Sequence, residues 1–134
     1  PKRQIQSAYY MSYDSLFKGD FSEGTDLWAL GCSVCEMATG RRPWSKDVDL
    51  QGSKKDAQKV MMHIYSNATA HPEVPGHLSP PLRKIVTELF RSKLDEKKVD
   101  EKRGGQQQQA KGATTAFRFL QDDYFKGHKS ECGV

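Results

Sequence analysis

The sequence predicts a mainly α domain assembled around one unusually apolar helix. From Leu27 to Ala38 polar residues are almost absent, two later stretches repeat apolar residues at helical spacing, and no stretch alternates convincingly as a strand. At 134 residues the chain is long enough for a single domain with a core of its own.

Residues 1–21 are polar and aromatic without helical period, and Gly19-Asp20 marks a turn, so this segment is expected to be a loop. Thr25 is the expected cap of the central helix, Asp26 lies in its first turn where a carboxylate suits the helix dipole, and Gly40 ends it. Between them Leu27, Trp28, Ala29, Leu30, Cys32, Val34, Cys35, Met37 and Ala38 leave hardly any polar face, which predicts enclosure on nearly all sides. Arg41-Arg42-Pro43-Trp44 and the polar run from Ser45 to Lys55 read as loop. Ser53 and Asp56 then stand at capping-box spacing, and Ala57, Val60, Met61 and Ile64 fall on one face of an amphipathic helix. Pro72 and Pro75 force an extended stretch. Ser79 and Pro80 open another helix, with Leu82, Ile85, Val86, Leu89 and Phe90 as its apolar stripe. Residues 95–113 are charged and then rich in Gly and Gln, including Gln106 to Gln109, and read as a flexible insertion. Ala116, Phe119, Leu120 and Tyr124 mark a last helix over 114–125, followed by a tail over 126–134.

The net charge of +4 comes from 21 basic and 17 acidic residues whose signs are interleaved, as in Lys97-Lys98-Val99-Asp100-Glu101-Lys102-Arg103. That pattern is a solvated surface. Nucleic-acid binding would call for one sign gathered on a face with aromatics between, and no such stripe is present. No apolar stretch reaches membrane-spanning length, and Pro1-Lys2-Arg3-Gln4 does not open a secretory signal. Three cysteines, an odd number, argue against a disulfide framework and agree with a reducing, cytoplasmic compartment. In that compartment the sequon Asn67-Ala68-Thr69 carries no meaning. The chain starts without an initiator methionine, which fits a fragment of a longer protein.

Some motifs admit a sharp and a plain reading. Cys32 and Cys35 have metal-ligand spacing, with His128 and Cys132 as a conceivable second half, but their place in the most apolar helix favours packing. His63, His71 and His77 have no partner spacing. Arg41-Arg42-Pro43-Trp44 is either an anion or partner site, or a loop with Trp44 tucked under the neighbouring helix, and the latter is favoured. Ser7, Tyr9 and Tyr10 are either regulatory phosphorylation sites or ordinary loop packing.

The run from Gly24 through Trp44, with its Asp26-x-Trp28-x-x-Gly31 start and Met37-Ala38-Thr39-Gly40-x-x-Pro43-Trp44 end, resembles the central helix of the protein kinase C-lobe. It is most similar to mitogen-activated kinase kinase kinases and related serine/threonine groups. Ser7 to Asp14 resembles the end of the activation segment, with Tyr13 where relatives carry proline and Asp14 where they carry glutamate. Pro75 to Phe90 and Thr115 to Phe125 resemble the later C-lobe segments.

The resemblance implies an incomplete domain divided as follows: activation-segment end and docking loop over 1–24, central and following helices over 25–94, insertion over 95–113, closing helix over 114–125, and tail. It implies that Asp26 braces the catalytic loop, that Ser7, Tyr9, Tyr10 and Met11 form a substrate-docking loop, and that Asp14 pairs with an arginine near the domain end, for which Arg103 is the nearest choice. The implied partners are a protein substrate and the remainder of the kinase domain, with neither membrane nor nucleic acid.

Phosphoryl transfer in this family needs a glycine-rich loop, a nucleotide lysine, a catalytic aspartate and a metal-binding aspartate. The sequence contains none of the corresponding motifs, and Asp20-Phe21-Ser22 stands on the wrong side of the activation-segment match to be the metal motif. No catalytic, cofactor-binding or metal residue is therefore expected in this segment. ATP and magnesium are expected for the parent kinase. The competing expectations are a pseudokinase or scaffolding lobe that binds partners through the helix beginning near Ser53, and a small basic helical nucleic-acid binder.

Overall fold

A computed structural model describes residues 7–100, with side chains to residue 91. Within these bounds the chain is helical and no strand forms. A single 3₁₀ turn, Ala8–Tyr10, leads into α1, Tyr13–Lys18; then come α2, Glu23–Thr39, α3, Asp56–Ser66, and α4, Pro80–Asp100.

The first departure from expectation is α1, inside the segment read as loop. Its two ends carry the signals of a helix. Ser12 caps it, its hydroxyl oxygen accepting the Ser15 N–H at 3.3 Å, and Gly19 closes it at a left-handed φ of 65°. One and a half turns are too short to show a period, so the caps are the only sequence signature.

The central helix starts two residues before the expected cap, with Ser22 at the cap position. Thr25 has another task. Its hydroxyl donates to the Asp20 carbonyl at 3.1 Å and stands 3.3 Å from the Ser15 hydroxyl, so it ties the end of α1 to the start of α2. Gly40 ends α2 as expected, with φ of 65° and its N–H on the Glu36 carbonyl at 2.8 Å.

The enclosure expected for α2 is one-sided among the described residues. Trp28, Gly31, Cys32 and Cys35 are buried, while Leu30 and Met37 are 51% and 76% exposed. The reason is that α4, the 3₁₀ turn and the loop after α2 all lie on one flank. Against that flank Gly31 allows the closest approach: a Cβ there would stand 2.9 Å from Phe90 Cε1 of α4. Phe90 is fully buried, edge-on to Trp28 at 5.0 Å and stacked on His71 at 5.0 Å.

Ser53 and Asp56 pair as their spacing predicts, but helix α3 starts at Asp56 itself, with Lys55 at the cap position. The Ser53 N–H and hydroxyl both donate to the Asp56 carboxylate, at 3.0 and 2.8 Å, and Val60 and Ile64 enter the core shared with Tyr9, Trp28 and Trp44. Helix α4 continues through Asp100, so the first six residues of the expected insertion are helical. The remainder of that insertion, the expected closing helix, the tail, Arg103 and Cys132 lie outside the described residues.

Candidate functional site

The segment expected to dock substrate, Ser7 to Met11, is held from beneath by side chains that α2 and its following loop supply. Ala8 and Tyr9 are buried. The Tyr10 hydroxyl donates to the Glu36 carboxylate, so the segment is fastened to the last turn of α2. Burial and that neighbouring negative charge push the Tyr10 phenol up to about 12. Tyr9 lies under the Arg42 guanidinium, 4.8 Å from ring centroid to cation, a cation–π contact that joins the segment to the loop after α2. Burial also raises the Tyr9 phenol. Ser7 is exposed, and its hydroxyl reaches the Met11 sulfur at 3.7 Å.

The other expected residues are distributed around this segment. Asp14 is buried at the start of α1, where Lys18 reaches its carboxylate at 3.1 Å. Lysine four residues on is within reach of a helical carboxylate, whereas the expected partner Arg103 lies outside the described residues. Asp26 is exposed on the first turn of α2. The structure thus brings Tyr9 and Tyr10 together with Glu36 and Arg42 and leaves Asp26 apart from them. Arg42 belongs to the Arg41-Arg42-Pro43-Trp44 run that the sequence marks, whereas Glu36 was not singled out. Glu36 is the one charged residue between Leu27 and Thr39, the apolar part of the helix, which is the signal that could have found it.

Cys32 and Cys35 are free and buried. Burial pushes the Cys35 thiol up to about 11 and raises the Cys32 thiol as well, so neither is poised as a nucleophile or ligand. Among the described residues no three His, Cys, Asp or Glu side chains converge as a metal site. Nor does the chain offer a glycine-rich phosphate cradle. No chemical step is assigned to these residues.

Beside the docking segment lies a groove of about 320 Å³, bounded by the end of α2, residues 41–47 and residues 72–77. Trp44 lines it, 2% exposed and edge-on to His63 of α3 at 5.4 Å. The favoured reading of a tucked Trp44 describes this arrangement. Its backbone adopts φ of 71°, a region where a bulky side chain costs about 1–3 kcal/mol.

Exposed apolar side chains lie outside the docking segment, one of them in contact with the half-buried Tyr13. Tyr13 and Phe17 of α1 meet Tyr65 of α3, with ring centroids 5.1 and 5.3 Å apart in succession. Met62 and Phe21 are exposed as well, as are Leu30 and Met37 on the far flank of α2. No helix among the described residues is long and apolar enough to cross a membrane.

Comparison with known proteins follows the same lines. The family model described as protein kinase domain matches residues 1–99. Mitogen-activated protein kinase kinase kinase 3 of Arabidopsis thaliana is 35% identical over 78 residues, which cover 58% of this chain and 11% of that protein. Mitogen-activated protein kinase kinase kinase A of Dictyostelium discoideum is 34% identical over 71 residues, 53% of this chain and 7% of that protein. The human mitogen-activated protein kinase kinase kinase 1 is 29% identical over 77 residues, 58% of this chain and 5% of that protein. The chain thus spans only a small part of the length of these curated relatives. No solved structure matches.

Proposed function

Because the chain belongs to the protein kinase domain family, we propose that it supplies the C-lobe core and the substrate-docking loop of a serine/threonine kinase acting on proteins, with ATP and magnesium handled by other parts of the parent. The observation that carries this reading is the fastening of Tyr10 to Glu36. A loop that must present an extended substrate has to be held against a rigid helix, because a docking surface that moves spends its binding free energy on ordering. Asp26, exposed at the start of the same helix, is free to brace a catalytic loop contributed by the parent. The cytoplasm is the compartment in which such a kinase would work.

The test is steady-state kinetics of the parent kinase with Tyr10→Ala. The KM for the protein substrate should rise about tenfold while the KM for ATP stays within twofold, the pattern of a lost docking contact. An equal rise in both would contradict the docking role.

A second reading, a scaffolding lobe without catalysis, is favoured by the exposed, ring-to-ring pair Phe17 and Tyr65 and by the exposed Met62 on the same helix as Tyr65. A thermal shift of the parent with ATP and magnesium separates the two, since a nucleotide-free scaffold will show none.

A further inference from the structure

The groove beside the docking segment has a surplus of positive charge. Its charged lining consists of Arg41, Arg42 and Lys46 against Asp47 and Glu73. Lys46 is paired with Glu73, which removes that pair from the balance. Arg41 and Arg42 are exposed, and Asp47 is the one remaining carboxylate in the lining. The walls are stiff. Pro43, Pro72 and Pro75 are three of its lining residues, and proline has no φ freedom to lose. His77 spans the gap to the end of α2, its Nε2 3.0 Å from the Ala38 carbonyl oxygen.

The base of the groove is built at a cost. Trp44 keeps a positive φ, and its indole N–H is buried without a hydrogen-bond partner in the structure. A strained backbone and an unpaired donor at one bulky residue are tolerated where the surrounding shape is used, and here that shape is a preformed groove. Arg42 supplies the link to function, because the guanidinium that faces the groove also covers Tyr9 of the docking segment.

We propose that this groove receives an acidic segment of the protein substrate, with aspartate or glutamate carboxylates taken by Arg41 and Arg42 while the neighbouring residues of that substrate lie on Ser7 to Met11. Carboxylate is the matching chemistry for two guanidinium forks at an open, stiff-walled groove. The assignment rests on the reading of Ser7 to Met11 as the docking loop and adds to it the substrate's charge.

The test is binding to the full 134-residue chain of a hexaglutamate peptide, a hexaglutamine peptide and a hexapeptide carrying phosphoserine, followed by calorimetry. In a Trp28→Phe variant the Trp44 indole is the sole tryptophan emitter, and hexaglutamate should shift its emission; calorimetry on the unaltered chain serves if that variant fails to fold. Arg41→Gln with Arg42→Gln should weaken hexaglutamate binding at least about tenfold. Lys54→Gln with Lys55→Gln removes the same charge away from the groove and should leave the affinity within about twofold. Equal losses in the two double variants, equal binding of hexaglutamine, or no binding of hexaglutamate overturns the proposal. Phosphoserine binding more than about tenfold tighter than hexaglutamate overturns the carboxylate assignment. None of these readouts uses catalysis, so a failed KM test with Tyr10→Ala and a failed groove are told apart.

Discussion

The Tyr10 hydroxyl and the Asp56 carboxylate each make a bond that responds to pH, in opposite directions. Burial and the Glu36 carboxylate raise the Tyr10 phenol from 10.0 to about 12, so the folded state resists its ionisation more than the unfolded chain does. That contribution is complete below pH 10 and is lost as pH rises toward 12. Tyr10→Phe should therefore flatten the alkaline limb of stability and cost about 1 kcal/mol at neutral pH, read by urea unfolding across the series. For Asp56, burial acts to raise the carboxyl, and the bonds from Ser53 and the Lys59 charge outweigh it, leaving the group below its usual value of 3.8. Stability from Asp56 is present above that usual value and disappears as pH falls through the lowered one. Asp56→Asn should remove part of the acid limb of the same unfolding series. The Ser53 and Asp56 pairing was legible in the sequence from its spacing. The Tyr10 and Glu36 pairing was not, because 26 residues separate the partners and no local pattern connects them.

The helices show which physical signals survive in one dimension. Gly40 as the stop of α2, and Val60 with Ile64 as the buried stripe of α3, follow from a left-handed cap and a 3.6-residue period, both local properties. Helix α1 escaped because its evidence is two caps without a period, and the start of α2 was misplaced because Thr25 spends its hydroxyl on the Asp20 carbonyl instead of on its own helix. The contact between α2 and α4 depends on a residue that sequence marks only as a helix-weakening glycine. Gly31→Ala improves helix propensity by about 1 kcal/mol. It also places a methyl group 2.9 Å from the Phe90 ring. That ring is confined by Trp28 and His71, so it cannot swing aside freely. Overpacking of this kind costs about 1–3 kcal/mol and should exceed the propensity gain. The net expectation is destabilisation by about 1 kcal/mol. Thermal unfolding of Gly31→Ala, with near-ultraviolet dichroism to follow Trp28, checks it, and an unchanged or raised midpoint would count against the close α2 to α4 contact.

At the scale of the molecule, the described helices cover one flank of α2 and leave the other to something else. Leu27, Leu30 and Met37 recur at helical spacing along that second flank, where Leu30 and Met37 are largely exposed. The apolar composition of α2 announced a helix with partners on nearly all sides, and composition cannot say which of those partners the described segment itself supplies. In a protein kinase domain the natural cover is the rest of the domain. Replacing the two exposed residues together, Leu30→Lys with Met37→Lys, separates an interface from an incidental surface. In the 134-residue chain the charged variant should self-associate less in sedimentation and keep its thermal midpoint, because the described packing does not use those side chains. In the parent kinase the same pair of lysines would be driven against apolar neighbours, and stability should fall by about 2–5 kcal/mol. Equal behaviour of the double variant in the two contexts would mean that the second flank of α2 faces solvent in the parent as well.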